Sequence, residues 1–143
     1  MRTMLGFALA LTGCLTTYNG LKLTPEPDAP AVEARPGGCN VEVFESGQKP
    51  DRKHVDIARV VLEWSRHQVT EQGADGAMKT LKEAACQNGA FFITDLRALT
   101  TGAVEGGMVY EATFATLIGD DGKPVNLKAR PPAPAPSPAP RGW

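Results

Sequence analysis

The chain has no long apolar run, no excess of either charge and only two histidines. Fifteen Lys and Arg residues stand against 16 Asp and Glu residues, giving a formal net charge of −1. The sequence therefore lacks the basic patch that marks nucleic-acid-binding proteins. No segment reaches the roughly 20 apolar residues that a membrane-spanning helix requires. These absences predict no nucleic-acid partner and no transmembrane span, and the length predicts one modest domain.

Catalytic motifs are also missing. His54 and His67 flank a predicted strand and would lie about 40 Å apart on one straight strand at roughly 3.3 Å per residue, so they cannot share a metal ion or a proton. The sequence contains no G-x-S-x-G motif, no phosphate-binding glycine loop and no EF-hand ligand spacing. We predict a protein that is not an enzyme and that has no cofactor and no metal site.

The N-terminal residues indicate export. Residues 4–11 form a short apolar run that follows Arg2 and ends in Leu11-Thr12-Gly13-Cys14. A basic residue, an apolar core and then small residues is the order of a secretory signal peptide. The last four residues resemble the lipobox of bacterial lipoproteins, whose signal is cleaved before a lipidated cysteine. The resemblance implies a signal peptide over residues 1–13 and lipidation of Cys14. An ordinary cleaved signal and a short N-terminal helix are the alternatives.

The residue after Cys14 bears on the membrane to which the protein is sorted. In the lipoprotein family an Asp at this position commonly retains the protein at the inner membrane, and this chain has Leu15. The resemblance therefore implies an outer-membrane protein, anchored by lipid on the periplasmic side. One acyl chain binds a bilayer only marginally, so firm attachment needs more than one.

Three cysteines remain to be assigned. If Cys14 takes lipid in an oxidising compartment, Cys39 and Cys86 are left as a pair, which favours a disulfide. Such a bond would stabilise the fold by about 4 kcal/mol in the chain-entropy estimate. Two free thiols are the alternative, and a metal site is weaker still. Against the disulfide, Cys86 lies off the apolar stripe of its predicted helix.

Proline content sets the expected limits of the domain. Residues 15–38 contain four prolines and no sustained periodicity, which predicts a lipidated extended linker over residues 14–38. Residues 131–143 contain six prolines, and we expect a disordered, polyproline-like tail over residues 129–143. The predicted globular domain spans residues 39–128.

Hydrophobic periodicity within this domain predicts four strands and one helix. Strands are expected at residues 41–44, 55–66, 90–97 and 108–118. A helix is expected at residues 74–88, with Gly89 as its left-handed C-terminal cap. Its apolar stripe consists of Ala77, Met78, Leu81, Ala84 and Ala85. The order β-β-α-β-β predicts an α+β fold in which one helix packs on a small, mostly antiparallel sheet.

Trp64 and Tyr110 fall on two different predicted strands. Aromatic side chains on strands most often pack in a core. If the helix covers only one face of the sheet, the same two residues could instead form an interaction surface on the open face. The sequence leaves both interpretations open.

Several short motifs resemble one bacterial group. They are the run from Cys39 to Phe44, Pro50 ahead of a long strand, and a helix ending in Cys86-Gln87-Asn88-Gly89-Ala90 that enters Phe91-Phe92-Ile93. This arrangement is similar to the RcsF-like envelope lipoproteins and the related YbjQ-like fold. The resemblance implies a non-enzymatic envelope lipoprotein that binds another envelope protein or a cell-wall component, with a role in envelope stress sensing. Because some relatives are described as heavy-metal-binding, a small-ligand or metal-binding module is the alternative.

Overall fold

The computed structural model describes residues 20–100 and 105–129. The predicted signal peptide, Cys14 and residues 130–143 of the predicted tail lie outside these described residues. Within them the chain forms β1 (Leu21–Pro25), β2 (Glu42–Glu45), β3 (His54–Trp64), α1 (Arg66–Gln87), β4 (Phe92–Leu99) and β5 (Met108–Leu117).

The five strands form one sheet in the order β1-β3-β5-β4-β2. β3 pairs antiparallel with β1 and β5, β4 pairs antiparallel with β5, and β2 runs parallel to β4 at the other edge. α1 packs on one face of this sheet. The predicted α+β fold, with one helix on a mostly antiparallel sheet, is confirmed.

The core lies between α1 and the central strands. Along β3, Ala58, Val60 and Leu62 are buried while Arg59 between them is exposed, as strand alternation requires. On α1, the inward positions are largely alanine, so the helix backbone approaches the sheet closely. Its one large inward residue, Leu81, has no exposed surface, and such burial stabilises a fold by about 1.5–3 kcal/mol.

The predicted linker over residues 14–38 needs correction, because residues 20–38 belong to the domain. β1 pairs along its whole length with β3, from Leu21 opposite Leu62 to Pro25 opposite Ala58. The Gly20 carbonyl accepts from the Glu63 amide at 3.0 Å. In this register the backbone nitrogen of Pro25 faces the free edge of the sheet, where the missing donor costs nothing. A strand of five residues is too short to give a sustained periodicity in the sequence.

The helix begins earlier than predicted. Ser65 is its N-cap, and a capping box with Gln68 starts the first turn. Gly73, with φ of 61° and ψ of −167°, then interrupts the helical backbone. The apolar stripe found in the sequence belongs to the part after this break. In the part before it, Arg66 was predicted as the end of a strand and residues 67–73 were assigned to no element, because the single apolar residue, Val69, gives little helical signal.

The C-terminal cap of α1 agrees with the prediction. Gly89 has φ of 77°, the Gly89 amide donates to the Cys86 carbonyl, and the Ala90 amide donates to the Ala85 carbonyl. These two bonds form a Schellman motif. A Cβ atom on Gly89 would lie 2.5 Å from the Glu33 carbonyl oxygen, so this glycine is required for packing as well as for backbone conformation.

Asn126 joins three separate segments beside this cap. Its Nδ2 donates to the carbonyls of Glu33 and Gly89, at 2.9 and 2.8 Å. Its Oδ1 accepts from the Thr116 hydroxyl at 2.7 Å. The residues after β5 therefore return to the domain as a hydrogen-bonded segment.

Candidate functional site

Residues 31–40, which we call the strap, cross the C-terminal end of α1. Cys39 in the strap is joined by a disulfide to Cys86 in the last turn of α1, with their Cα atoms 5.9 Å apart. The Arg35 amide donates to the Cys86 carbonyl at 2.8 Å. The disulfide that the cysteine count favoured is therefore present.

The strap also explains how Cys86 can form the disulfide although it lies off the apolar stripe of α1. Cys86 is 2% exposed even though its side of the helix faces away from the sheet. The strap supplies the missing cover, and Cys39 itself is half-buried at the edge of the core. A helical wheel of α1 cannot show this burial of Cys86, because the residues that cover it lie nearly 50 positions earlier in the sequence.

Arg35 holds the strap against the domain. Its guanidinium carbon lies 3.7 Å from the centroid of the Phe91 ring. Its Nη1 donates to the carbonyls of Asn40 and Ala90, both at 2.9 Å. Burial lowers the pKa of Arg35 from its ordinary value, but an arginine remains charged at physiological pH. The strap is thus fixed by a cation–π contact, backbone bonds and a covalent link.

A groove of about 440 Å³ lies beside the disulfide. Its walls are the glycine-containing end of the strap and the outer side of α1. Lys79 and Lys82 bring positive charge, and Asp75 and Glu83 bring negative charge. Met78 and the disulfide supply apolar surface. This combination suits the binding of a small ligand or a peptide side chain through mixed polar and apolar contacts. We find no arrangement of a nucleophile and a base in it.

The two histidines lie in different elements, near opposite ends of β3. His54 begins β3, where its Nδ1 lies 3.0 Å from the Arg52 carbonyl oxygen. His67 lies in the first turn of α1, beyond the other end of β3, with its Nε2 3.3 Å from a carboxylate oxygen of Glu71. Among residues 20–100 and 105–129, no group of three His, Cys, Asp or Glu side chains is placed to hold a metal ion.

The hypothesis that Trp64 and Tyr110 form an exposed interaction surface is wrong. Trp64 is 3% and Tyr110 8% exposed, and their rings meet edge to face with centroids 6.4 Å apart. Both belong to the face of the sheet under α1. Gly76 permits this packing, because a Cβ atom there would lie 2.9 Å from the Trp64 ring. The alternative interpretation, a core aromatic pair, is the correct one.

The open face of the sheet carries charges that the sequence analysis did not single out. They line a shallow cleft of about 580 Å³. Arg59 pairs with Glu26 at 3.0 Å, and Arg97 pairs with Asp95 at 3.2 Å. Asp95 has φ of 52° in a bulge of β4. In the sequence, Arg59 alternates with apolar residues of the same strand, and this pattern could have indicated a charge on the open face. Exposed ion pairs of this kind contribute little to stability.

No protein-family model and no curated protein sequence matches this chain. Among solved structures, the chain is similar to FvfA, a virulence factor from Francisella. The two are 18% identical, with a TM-score of 0.43, over 66% of this chain and 95% of that chain.

Among the described residues, no helix is both long enough and apolar enough to cross a bilayer.

Proposed function

We propose that this protein is a non-enzymatic lipoprotein of the bacterial outer membrane, anchored through Cys14 on the periplasmic side. Its domain binds another envelope protein or a cell-wall component, as the resemblance to RcsF-like lipoproteins implies, and acts in envelope stress sensing.

The observation that carries the proposal is the Cys39–Cys86 disulfide. Disulfides persist in exported proteins and are rare in the reducing cytosol. A bond that ties the strap to the helix end therefore supports the same compartment as the signal-like sequence before Cys14. These two features are independent, because one lies in the leader and the other in the folded domain.

The absence of an enzymatic role is supported by the arrangement of reactive groups. Cys39 and Cys86 are consumed in a disulfide, and a disulfide-bonded cysteine is not a nucleophile. His54 and His67 lie at opposite ends of β3. The surfaces that remain for function are suited to binding.

The alternative is a small-ligand or heavy-metal-binding module. The groove beside the disulfide favours this alternative for a small ligand, since its volume lies within the range of ligand sites. Calorimetric titration with zinc and copper would test the metal version. Heat of binding that the Asp75→Asn variant loses would support it, and no heat from either metal would remove it.

The anchor is tested with Cys14→Ser. The unaltered protein should enter the membrane fraction, and its N-terminal peptide should carry the mass of attached acyl chains. Cys14→Ser should appear in the soluble envelope fraction with its signal uncut or miscut. The matched control is the double variant Cys39→Ser/Cys86→Ser, which should stay in the membrane fraction. Unchanged fractionation of Cys14→Ser would contradict the proposal.

The binding role is tested by crosslinking in intact cells. Crosslinked partners recovered with the unaltered protein should be envelope proteins or cell-wall fragments, and they should be lost with Cys14→Ser. Recovery of cytosolic partners alone would contradict an envelope function.

A further inference from the structure

The described part of the folded domain reaches to within six residues of the proposed anchor. The first described residue, Gly20, already accepts a hydrogen bond from Glu63 in β3. Only six peptide steps separate Gly20 from Cys14, whereas the predicted linker ran to residue 38. A fully extended chain advances at most roughly 3.6 Å per residue, so these steps span no more than about 22 Å.

The position of Gly20 defines two ends of the sheet. At what we call the anchor end, β1 and β5 begin, β3 and β4 end, and α1 starts. At the far end, β3 begins at His54 opposite Leu117, and the turn over residues 119–123 follows. β3 has 11 residues, so the two ends lie roughly 33 Å apart along it.

The anchor end carries no excess of positive charge among the described residues. Lys22 lies 3.8 Å from Glu63, and Arg66 is accompanied by the acidic residues Glu71 and Glu105. Charges of mixed sign give little net attraction to anionic headgroups. The length of the chain before Gly20, and not electrostatic attraction, then controls the distance from the bilayer.

We propose that the anchor end of the sheet faces the lipid surface within about 22 Å, and that the far end points away from it. The inference rests on the proposed lipidation of Cys14. In place of the extended linker expected over residues 14–38, a short attachment before Gly20 then orients the domain at the membrane. A partner lying beyond the membrane surface then meets the far end first.

The test uses the full chain, expressed with its leader, purified from membranes and reconstituted in phosphatidylcholine vesicles with a headgroup-linked acceptor dye. A fluorescent amino acid replaces Glu63 at the anchor end or Asp120 at the far end, both exposed positions. Energy transfer from position 63 should exceed that from position 120 by at least about two-fold, since the labels differ by roughly 33 Å along the strand. The difference should persist at high salt.

The control inserts about 40 Gly and Ser residues after Leu15, a segment with a root-mean-square span of roughly 35 Å. Transfer from position 63 should fall toward that from position 120. Equal transfer from both positions without the insertion would overturn the orientation. The N-terminal mass of the same preparation tests the anchor separately: an acylated chain with equal transfer defeats only this inference, while an unacylated chain defeats the proposed function as well.

Discussion

At the residue scale, comparing two glycines that have the same φ distinguishes the cost of backbone strain from the cost of a steric clash. Gly89 and Gly122 both have φ of 77°. An added Cβ would lie 2.5 Å from the Glu33 carbonyl oxygen at Gly89 and would meet nothing within 4 Å at Gly122. We expect Gly122→Ala to lower the free energy of unfolding by about 1–2 kcal/mol, the cost of a left-handed alanine. Gly89→Ala should cost clearly more in urea unfolding, and equal losses would show that the strap yields to the added methyl group.

Asn126 is the second residue whose removal should be costly. Its side chain makes three hydrogen bonds, to Thr116, Glu33 and Gly89. At about 1 kcal/mol for each bond, Asn126→Ala should lower the free energy of unfolding by about 3 kcal/mol. Asn40→Ala removes the same side chain from an exposed position and serves as the control. Similar melting temperatures for the two variants would contradict the bridging role of Asn126.

At the scale of elements, the strap depends on its covalent link to α1. The disulfide joins residues 47 positions apart, for which the chain-entropy estimate gives about 4 kcal/mol. Adding reductant should therefore lower the urea midpoint of the unaltered protein. The double variant Cys39→Ser/Cys86→Ser should start from that lower midpoint and should not respond to reductant. Labelling of both cysteines as free thiols in the untreated protein would contradict the link.

The elements that could be predicted from sequence are those with a local signal. Residues 74–88 show an alanine-rich stripe at helical spacing, and Gly89 is a recognisable cap. The first turns of α1 escaped prediction because Gly73 breaks the periodicity. β1 was not predicted because only two of its residues, Leu21 and Leu23, are apolar residues that face the core.

The candidate site was predictable only in part, because its cover comes from distant chain segments. Counting cysteines favoured the pair of Cys39 and Cys86, but the wheel position of Cys86 argued against it. Burial of Cys86 depends on Arg35 and its neighbours in the strap. Strand alternation places Trp64 on the same face as Val60 and Leu62, but the space for its ring comes from Gly76 on α1, which the strand pattern does not record.

At the scale of the whole molecule, the boundary of the domain decides whether the N-terminal segment is a spacer or a part of the core. β1 places Leu21 at 7% exposure and Leu23 half-buried against the core, and it covers the edge of β3. A chain that begins at Gly20 should be as stable as the chain that begins at Cys14. A chain that begins at Glu26 should lose about 2–4 kcal/mol, because burial of Leu21 contributes about 1.5–3 kcal/mol and the half-buried Leu23 contributes less.

The shorter chain should also associate, because removal of β1 exposes the backbone groups of β3 as a free edge. Urea unfolding and sedimentation of the two truncated chains measure both effects. Equal stability and a monomeric state for both would mean that residues 20–25 act as a spacer, as the sequence analysis predicted. Loss of stability only in the chain that begins at Glu26 would show that β1 is part of the domain. It would also support the short distance between the domain and Cys14, on which the proposed orientation at the membrane depends.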